Sequence, residues 1–249
     1  MQAIMGTYVL HEQTFPCQVV KNQAMAEREA FEQAVGHYEL RDLAPPAEAL
    51  AVAAASLERT GLFLVGEIHG IAQTPLAILG LASRLGVRAL AFEWSYDELD
   101  DVVQPVLSDG KIDAGALWAL PPSAEVFSGD GRFTAGHVTL LEDMAGRLDR
   151  IILLDRVGSE GQEREDGIAA RLLAERRRDS PLLAILGAAH VVREPVDGLG
   201  PVGLLVEREL PGVANCFLAP SASAYDGFPA PDVIFPIGEA ERAVAPTQS

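Results

Sequence analysis

Two titratable side chains, Glu67 and His69, follow an apolar run of the sequence. The run Leu62-Phe63-Leu64-Val65 lies between glycines and predicts a buried strand of a parallel sheet. Open α/β sheets bind their ligands at the carboxyl ends of the strands. Histidine titrates near neutral pH, and a carboxylate bonded to one ring nitrogen fixes the tautomer. We therefore interpret His69, oriented by Glu67, as a candidate general base.

Further titratable residues follow other predicted strands. They are Glu93 after Val87–Phe92, Asp155 after Ile151–Leu154 and His190 shortly after Leu182–Leu186. The carboxyl ends of parallel strands share one edge of a sheet, so these side chains are expected in one site with Glu67 and His69. His190 is a candidate acid or oxyanion donor. For Asp155, a purely structural pairing with Arg156 or Arg164 is an equal alternative.

The residue types leave several reactions open. The candidate residues are accompanied by neither a Gly-x-Ser-x-Gly turn nor a nucleophilic cysteine context, which favours an activated water. The same base could remove a substrate proton and drive elimination or ring closure. Two histidines with two carboxylates are also a plausible divalent-metal set, although Glu67-x-His69 does not copy the helical zinc motif. We expect metal-independent catalysis, with metal or haem binding as the alternative.

From Gly61 onward, strand and helix patterns alternate. Helices are predicted near residues 74–85, 97–107, 112–120, 134–148, 163–178 and 202–210, and two more strands at 213–218 and 233–237. Strands joined by helices form right-handed crossovers and parallel sheets. We therefore predict a three-layer α/β fold, a mainly parallel sheet with helices on both faces. On the predicted helix 134–148, His137 is expected at the surface, and His37, nearer the N-terminus, is expected to be a surface or packing histidine.

The chain divides into three predicted parts. Residues 1–59 form an N-terminal helical extension, with helices at Gln23–Leu40 and Ala47–Arg59, packed on the core. Residues 60–240 form the catalytic domain, in which about 95–149 is a helical lid. Residues 241–249 are predicted as a flexible tail. Trp94, next to the lid, is a candidate wall of the substrate pocket.

Composition narrows the function classes. The 249 residues are 49% hydrophobic and carry a formal charge of -17, which argues against nucleic acid or an anionic membrane as a partner. The two cysteines are far apart and lack metal-type spacing. Neither a signal sequence nor an apolar run of about 18 residues is found. A cytoplasmic protein acting on a small molecule is the expectation.

Four motifs in order resemble the erythromycin esterase/ChaN-like superfamily, which includes Tiki-type proteins. They are Gly66-Glu67-Ile68-His69-Gly70, Ala91-Phe92-Glu93, Arg164-Glu165-Asp166-Gly167-Ile168-Ala169 and Gly187-Ala188-Ala189-His190. The turn Asp130-Gly131-Arg132 is similar to the esterase branch. The resemblance implies that His69 activates a water that opens an ester, that Glu67, Glu93 and His190 complete the site, and that Arg164 is a pocket arginine.

The chain also departs from this superfamily. Ile168 stands where the arginine motif usually has Met, and residues 95–150 form a smaller lid than in macrolide esterases. The short lid argues against a macrolide and suggests a smaller secondary metabolite, or a homo-oligomer or partner subunit that completes the pocket. The ChaN branch implies haem as an alternative ligand. The sequence therefore predicts a hydrolase of an ester-like bond, with an elimination or cyclisation enzyme of antibiotic-like metabolism as the alternative.

Overall fold

A six-stranded parallel sheet forms the centre of the protein. The computed structural model describes residues 17–221 and 223–248. The strands are β1 (Leu62–Glu67), β2 (Ala89–Ser95), β3 (Arg150–Asp155), β4 (Leu182–Gly187), β5 (Ala214–Ala219) and β6 (Val233–Pro236). Their order in the sheet is β3-β2-β4-β1-β5-β6, and every neighbouring pair is parallel. The predicted α/β class and mainly parallel sheet are confirmed.

Ten helices surround this sheet in the described part of the chain. They are α1 (Cys17–His37), α2 (Ala47–Thr60), α3 (Thr74–Leu85), α4 (Tyr96–Val103), α5 (Val106–Asp109), α6 (Ala114–Ala119), α7 (Ala135–Met144), α8 (Gly161–Glu175), α9 (Ala188–Val191) and α10 (Val202–Glu209). Short 3₁₀ turns occupy Glu125–Phe127 and Ala145–Arg147. Among the described residues, no helix is long and apolar enough to cross a membrane.

Alternate strand residues enter two separate apolar clusters. On one face, Phe63 and Val65 pack with residues from α1 to α7, and on the other, Leu62 and Leu64 pack with α8, α9 and α10. Because side chains alternate along a strand, an all-apolar strand is covered on both faces. The helices therefore form two layers around the sheet.

Proline and glycine set several helix boundaries. Helix α2 ends at Gly61 and α3 at Gly86, both in the left-handed conformation. The predicted helix 97–107 is instead two helices, α4 and α5, because Pro105 lacks the amide that would continue the first. Helix α3 begins at Thr74, and Pro75 follows in its first turn, where a missing amide costs no helix hydrogen bond.

Helix α1 and the segment 241–244 both contact the rest of the protein. Phe31 of α1 is buried in the cluster that also contains residues of α7, while residues 1–16 of the predicted extension lie outside the described residues. The segment 241–244, part of the predicted flexible tail, makes backbone hydrogen bonds with the loop after β1. The Ala72 amide donates to Glu241 and the Ala243 amide to Gly70, each at 2.8 Å.

Candidate active site

Four adjacent strands bring the candidate residues to one edge of the sheet. In sheet order, Asp155 ends β3, Glu93 lies in β2, His190 follows β4 in α9, and Glu67 ends β1. His69 lies two residues beyond Glu67 in the following loop. The parallel pairing of these strands places all five side chains at their carboxyl ends, where α/β sheets bind ligands.

His69 forms a carboxylate–imidazole pair with Glu67. Its Nδ1 lies 3.0 Å from Glu67 Oε1, and the carboxylate is buried while the imidazole side chain is 23% exposed. Burial alone would lower the pKa of His69, but the bond to Glu67 and the charges of Glu67 and Glu93 raise it above the ordinary value. Burial raises the pKa of Glu67, partly offset by the hydrogen bond to His69. His69 Nε2 is left facing Glu93 Oε1 at 3.9 Å.

Glu93 is a buried carboxylate with donors at both oxygens. Oε1 accepts from Arg164 Nη2 at 2.6 Å and lies 3.3 Å from His190 Nε2, while Oε2 accepts from the Gly187 amide at 2.6 Å. Burial would raise the pKa of Glu93, but His190, His69 and Arg164 together hold it well below its usual range. The sequence predicts that Glu93 follows the strand. Strand β2 instead continues to Ser95, with an irregular register after Phe92, so Glu93 lies inside it.

His190 lies between two carboxylates. Its Nδ1 is 2.6 Å from Glu165 Oε1, and the other oxygen of Glu165 accepts from the Val202 amide at 2.9 Å. Burial would lower the pKa of His190, but the bonds to Glu165 and Glu93 raise it to about 9. His190 is therefore an imidazolium at neutral pH.

Glu165 had no assigned role in the sequence interpretation, although a signal for it exists. On α8 it precedes Ile168, Ala169 and Leu172 by three, four and seven residues, so it lies on the buried face of that helix. A carboxylate on an apolar helix face requires a partner. That partner is His190, whose orientation Glu165 fixes.

Arg164, expected to bind substrate, is held by two carboxylates. Its Nε and Nη2 donate to Asp155 Oδ2 at 2.8 Å and 2.5 Å, and Nη1 lies 3.3 Å from His190 Nε2. Asp155 also accepts at Oδ1 from Ser159 Oγ at 3.0 Å. Buried Asp155, also expected at the substrate, therefore makes the pairing with Arg164 that the sequence left as an alternative.

Arg132 reaches the site from the turn before α7. Its side chain is 30% exposed, with Nε 2.9 Å from Asp130 Oδ2 and 3.8 Å from Glu93 Oε1. Gly131 has φ of 84°, and its carbonyl accepts from the Gly70 amide at 3.1 Å, which joins this turn to the His69 loop. The sequence alone does not place Arg132 in the site. Its approach to Glu93 joins a loop to a strand 39 residues earlier, and a contact of that kind leaves no local sequence pattern.

Trp94 and His137 are both buried beside the site. Trp94, expected to bind substrate, stacks on Phe92 with ring centroids 4.1 Å apart, and its indole donates to the Arg132 carbonyl at 2.8 Å. Trp94 therefore supports the Arg132 turn. The surface position predicted for His137 is wrong. The residue is 2% exposed, with Nδ1 2.9 Å from Thr134 Oγ1, and burial lowers its pKa to about 3.

Two cavities open beside these groups. One of about 390 Å³ is lined by Arg132, Arg164 and Asp155, among others. The second, about 560 Å³, is lined by His69, the Gly129–Gly131 turn and the segment 240–247. Together they leave space for a small-molecule substrate next to His69 and Arg132.

Within residues 26–221 and 223–248, no group of three or more His, Cys, Asp or Glu side chains is arranged to hold a metal ion. The donors at Glu93 explain this, since both of its oxygens are engaged by an amide and a guanidinium. What the arrangement provides is one imidazole facing a cluster of cations held by buried carboxylates.

Comparisons with known proteins find no family and only distant structural similarity. No protein-family model and no curated protein matches the chain. Similar solved structures include RRSP, a MARTX toxin effector domain from Vibrio vulnificus CMCP6, with 17% identity over 91% of this chain and 47% of that one, and a TM-score of 0.46. The type III effector HopBA1 has 20% identity over 82% of this chain and 98% of that one, with a TM-score of 0.47.

A third similar structure is the C-terminal region of Pasteurella multocida toxin, described as having a thiol-protease like catalytic triad. It shows 10% identity over 83% of this chain and 30% of that one, with a TM-score of 0.48. This chain thus spans less than half of the Vibrio and Pasteurella structures. Because identities and TM-scores are this low, the chemistry of the site is argued from this chain's own residues.

Proposed function

We propose that the protein is a hydrolase that uses His69 as a general base to activate water against an ester-like bond in a small metabolite. The observation that supports this most directly is the orientation of His69. Its Nδ1 bonds to buried Glu67 at 3.0 Å, and its Nε2 faces the cleft. This is the arrangement in which a neutral imidazole accepts a proton at Nε2.

The spacing opposite His69 suits a water nucleophile. Nε2 and Glu93 Oε1 are 3.9 Å apart, too far for a direct hydrogen bond. One water can lie within hydrogen-bonding distance of both atoms. His69 takes its proton, the hydroxide forms the new C–O bond at the carbonyl, and the carbonyl electrons move to oxygen. Collapse breaks the bond to the leaving alcohol, which receives the proton from His69.

Cations opposite the base can stabilise the oxyanion. Arg132 and Arg164 carry fixed charges, and the raised pKa of His190, about 9, keeps it positive at neutral pH. Glu93, Asp155 and Glu165 lie behind these cations and are buried, so the cations are held in place before substrate binds. Preorganised charge of this kind is often the largest part of catalysis.

The experiment that tests this proposal compares purified wild type with His69→Ala against chromogenic esters and lactones. We expect a loss of about 10²- to 10⁴-fold in kcat, the usual contribution of a general base. His37→Ala is the matched control, because His37 is exposed on α1. Thermal unfolding establishes that both variants fold. A folded His69→Ala protein with wild-type turnover contradicts the proposal.

The product separates hydrolysis from the alternative reactions. In H₂¹⁸O, attack of the activated water at the carbonyl places one ¹⁸O in the acid product and none in the alcohol, while elimination or cyclisation by the same base places none in either product. An absorption spectrum and metal analysis of the purified protein come first. A Soret band or stoichiometric metal bound at the site would replace the hydrolase proposal with a haem- or metal-binding role.

A further inference from the structure

A third cavity next to the proposed active site differs from the others in charge. It measures about 260 Å³ and is lined by arginines at 156, 164 and 171 and by carboxylates at 155 and 163. Four other cavities of the protein each carry more carboxylates than arginines. In a chain of formal charge -17, a cavity with an excess of arginine is unusual.

Two of these arginines are free to bind a ligand. Arg164 forms an ion pair with Asp155, with Nη2 and Oδ2 2.5 Å apart. Among the side chains of residues 26–221 and 223–248, by contrast, no carboxylate forms an ion pair with Arg156 or Arg171. The Arg171 guanidinium lies 4.4 Å from the ring centroid of Tyr96, and its buried Nε has no hydrogen-bond partner. The stacked ring orients this guanidinium at the cavity wall.

Helix α8 shapes the floor of the cavity. Arg164, Gly167, Ile168 and Arg171 are spaced three or four residues apart and therefore share one face of the helix. A Cβ placed on Gly167 meets nothing within 4 Å. The absence of a side chain at Gly167 therefore leaves open space between Arg164 and Arg171.

We propose that this cavity is a subsite for a tetrahedral oxyanion, the phosphate or sulfate group of the substrate. Guanidinium groups bind such anions through paired hydrogen bonds. Arg164 lines the cavity and also contacts Glu93 at 2.6 Å, so a bound anion lies one side chain away from the reacting groups. That the anion belongs to the substrate rests on the proposed hydrolase function. That the cavity binds a tetrahedral anion does not depend on that function.

The test is calorimetric titration of the purified protein with inorganic phosphate, and separately with sulfate, at constant ionic strength. Acetate is the planar control anion. We expect saturable binding of a tetrahedral anion that weakens at least tenfold in the Arg156→Gln/Arg171→Gln double variant. Glu163→Gln, which removes the unpaired carboxylate of the cavity, should tighten binding. Arg41→Ala, an exposed arginine in the loop before α2, should leave it unchanged.

A steric variant tests the location without changing charge. Gly167→Leu fills the cavity, and its backbone requires no left-handed conformation, so the variant should fold and lose phosphate binding. Absence of saturable binding by either anion overturns the subsite, as does binding that Gly167→Leu or the double arginine variant leaves intact. Measuring phosphate binding in His69→Ala separates the two proposals, because the subsite predicts that binding persists whether or not His69 is the base.

Discussion

At the residue scale, the site consists of partly exposed histidines held by buried acids. The His69 side chain is 23% exposed and that of Glu67, bonded to it, is 5% exposed, while His190 is 16% exposed and Glu165, bonded to it, is 7% exposed. A buried carboxylate that loses its partner is costly, so each acid fixes the side chain in front of it. Position and protonation of the bases are thus set from the protein interior.

The first prediction concerns the pH dependence of kcat/KM. It should be bell-shaped, with an ascending limb from deprotonation of His69 and a descending limb near pH 9 from deprotonation of His190. Glu67→Gln removes the carboxylate that raises the pKa of His69, so the ascending limb should move to lower pH while the maximum falls by roughly 10-fold to 100-fold.

Glu165→Gln is the matched variant for the other limb. It removes the bond to His190 Nδ1, so the descending limb should move to lower pH and the ascending limb should stay. Profiles measured with one ester report both limbs. Glu67→Gln shifting the descending limb alone would show that the two histidines have been assigned to the wrong roles.

The second prediction tests Gly187, which lies at the centre of the site. A Cβ on this residue would be 3.0 Å from His69 Nε2 and 3.4 Å from Glu93 Oε2. Gly187→Ala should therefore displace the imidazole and lower kcat about 10²-fold, the size expected for a small misplacement of a catalytic group.

The fold should tolerate this change, because the φ of Gly187 is -55° and suits alanine. Urea unfolding and activity are measured together. Gly146→Ala, in the 3₁₀ turn before β3, is the control, since its Cβ meets nothing within 4 Å. Full activity in a folded Gly187→Ala protein would show that the reacting atoms lie elsewhere.

At the element scale, the C-terminal segment closes one wall of the His69 cavity. Residues 240–247 line that cavity, and an antiparallel bridge joins Arg242 to Ile71. Loop backbone held by a few hydrogen bonds lies at the low-stability end of a protein. This wall is therefore the part of the cleft that local opening would affect first.

The third prediction is a change at that wall. Ala243→Pro removes the amide that donates to the Gly70 carbonyl at 2.8 Å. We expect KM for the hydrolysed ester to rise several-fold and the free energy of unfolding to fall by about 1 kcal/mol, the net value of one hydrogen bond. Ala243→Ser, which keeps the amide and therefore the bond to Gly70, is the control. An unchanged KM in Ala243→Pro would exclude the segment from substrate binding.

Elements were predictable where local pattern and tertiary structure agree. Apolar runs such as Ile151–Leu154 predict strands because both faces of a parallel sheet are buried. Where a residue lies within an element, and whether it is buried, depend on contacts with other elements. The wrong predictions for Glu93 and His137 have this cause. Glu93 lies inside β2 because pairing with β3 continues past Phe92, and His137 is buried because its ring packs against Phe92 and Trp94 of β2. Periodicity alone does not report either contact.

At the scale of the whole molecule, the buried titratable groups link stability to pH. His190 has a folded pKa of about 9 against an ordinary 6.5, so it contributes stability below pH 6.5 that is lost as pH rises to about 9. His137 has a folded pKa of about 3, so below pH 6.5 its proton is taken up only in the unfolded chain. The free energy of unfolding therefore decreases as the pH is lowered. The lowered pKa of Glu93 acts in the same direction below about pH 4.3.

The last prediction follows from these opposite slopes. The free energy of unfolding should be greatest near pH 6.5 and fall on each side. Because one pKa unit is worth about 1.4 kcal/mol, the fall should be about 3 kcal/mol from His190 by pH 9 and about 3 kcal/mol from His137 by pH 4. Urea unfolding between pH 4 and pH 10 measures the curve. His137→Phe, which keeps an aromatic ring beside Phe92 and Trp94, should flatten the acid side, and Glu165→Gln the alkaline side. His37→Ala is the control and should leave both slopes unchanged. If His137→Phe and Glu165→Gln also leave the maximum and both slopes unchanged, these buried histidines do not govern the dependence of stability on pH.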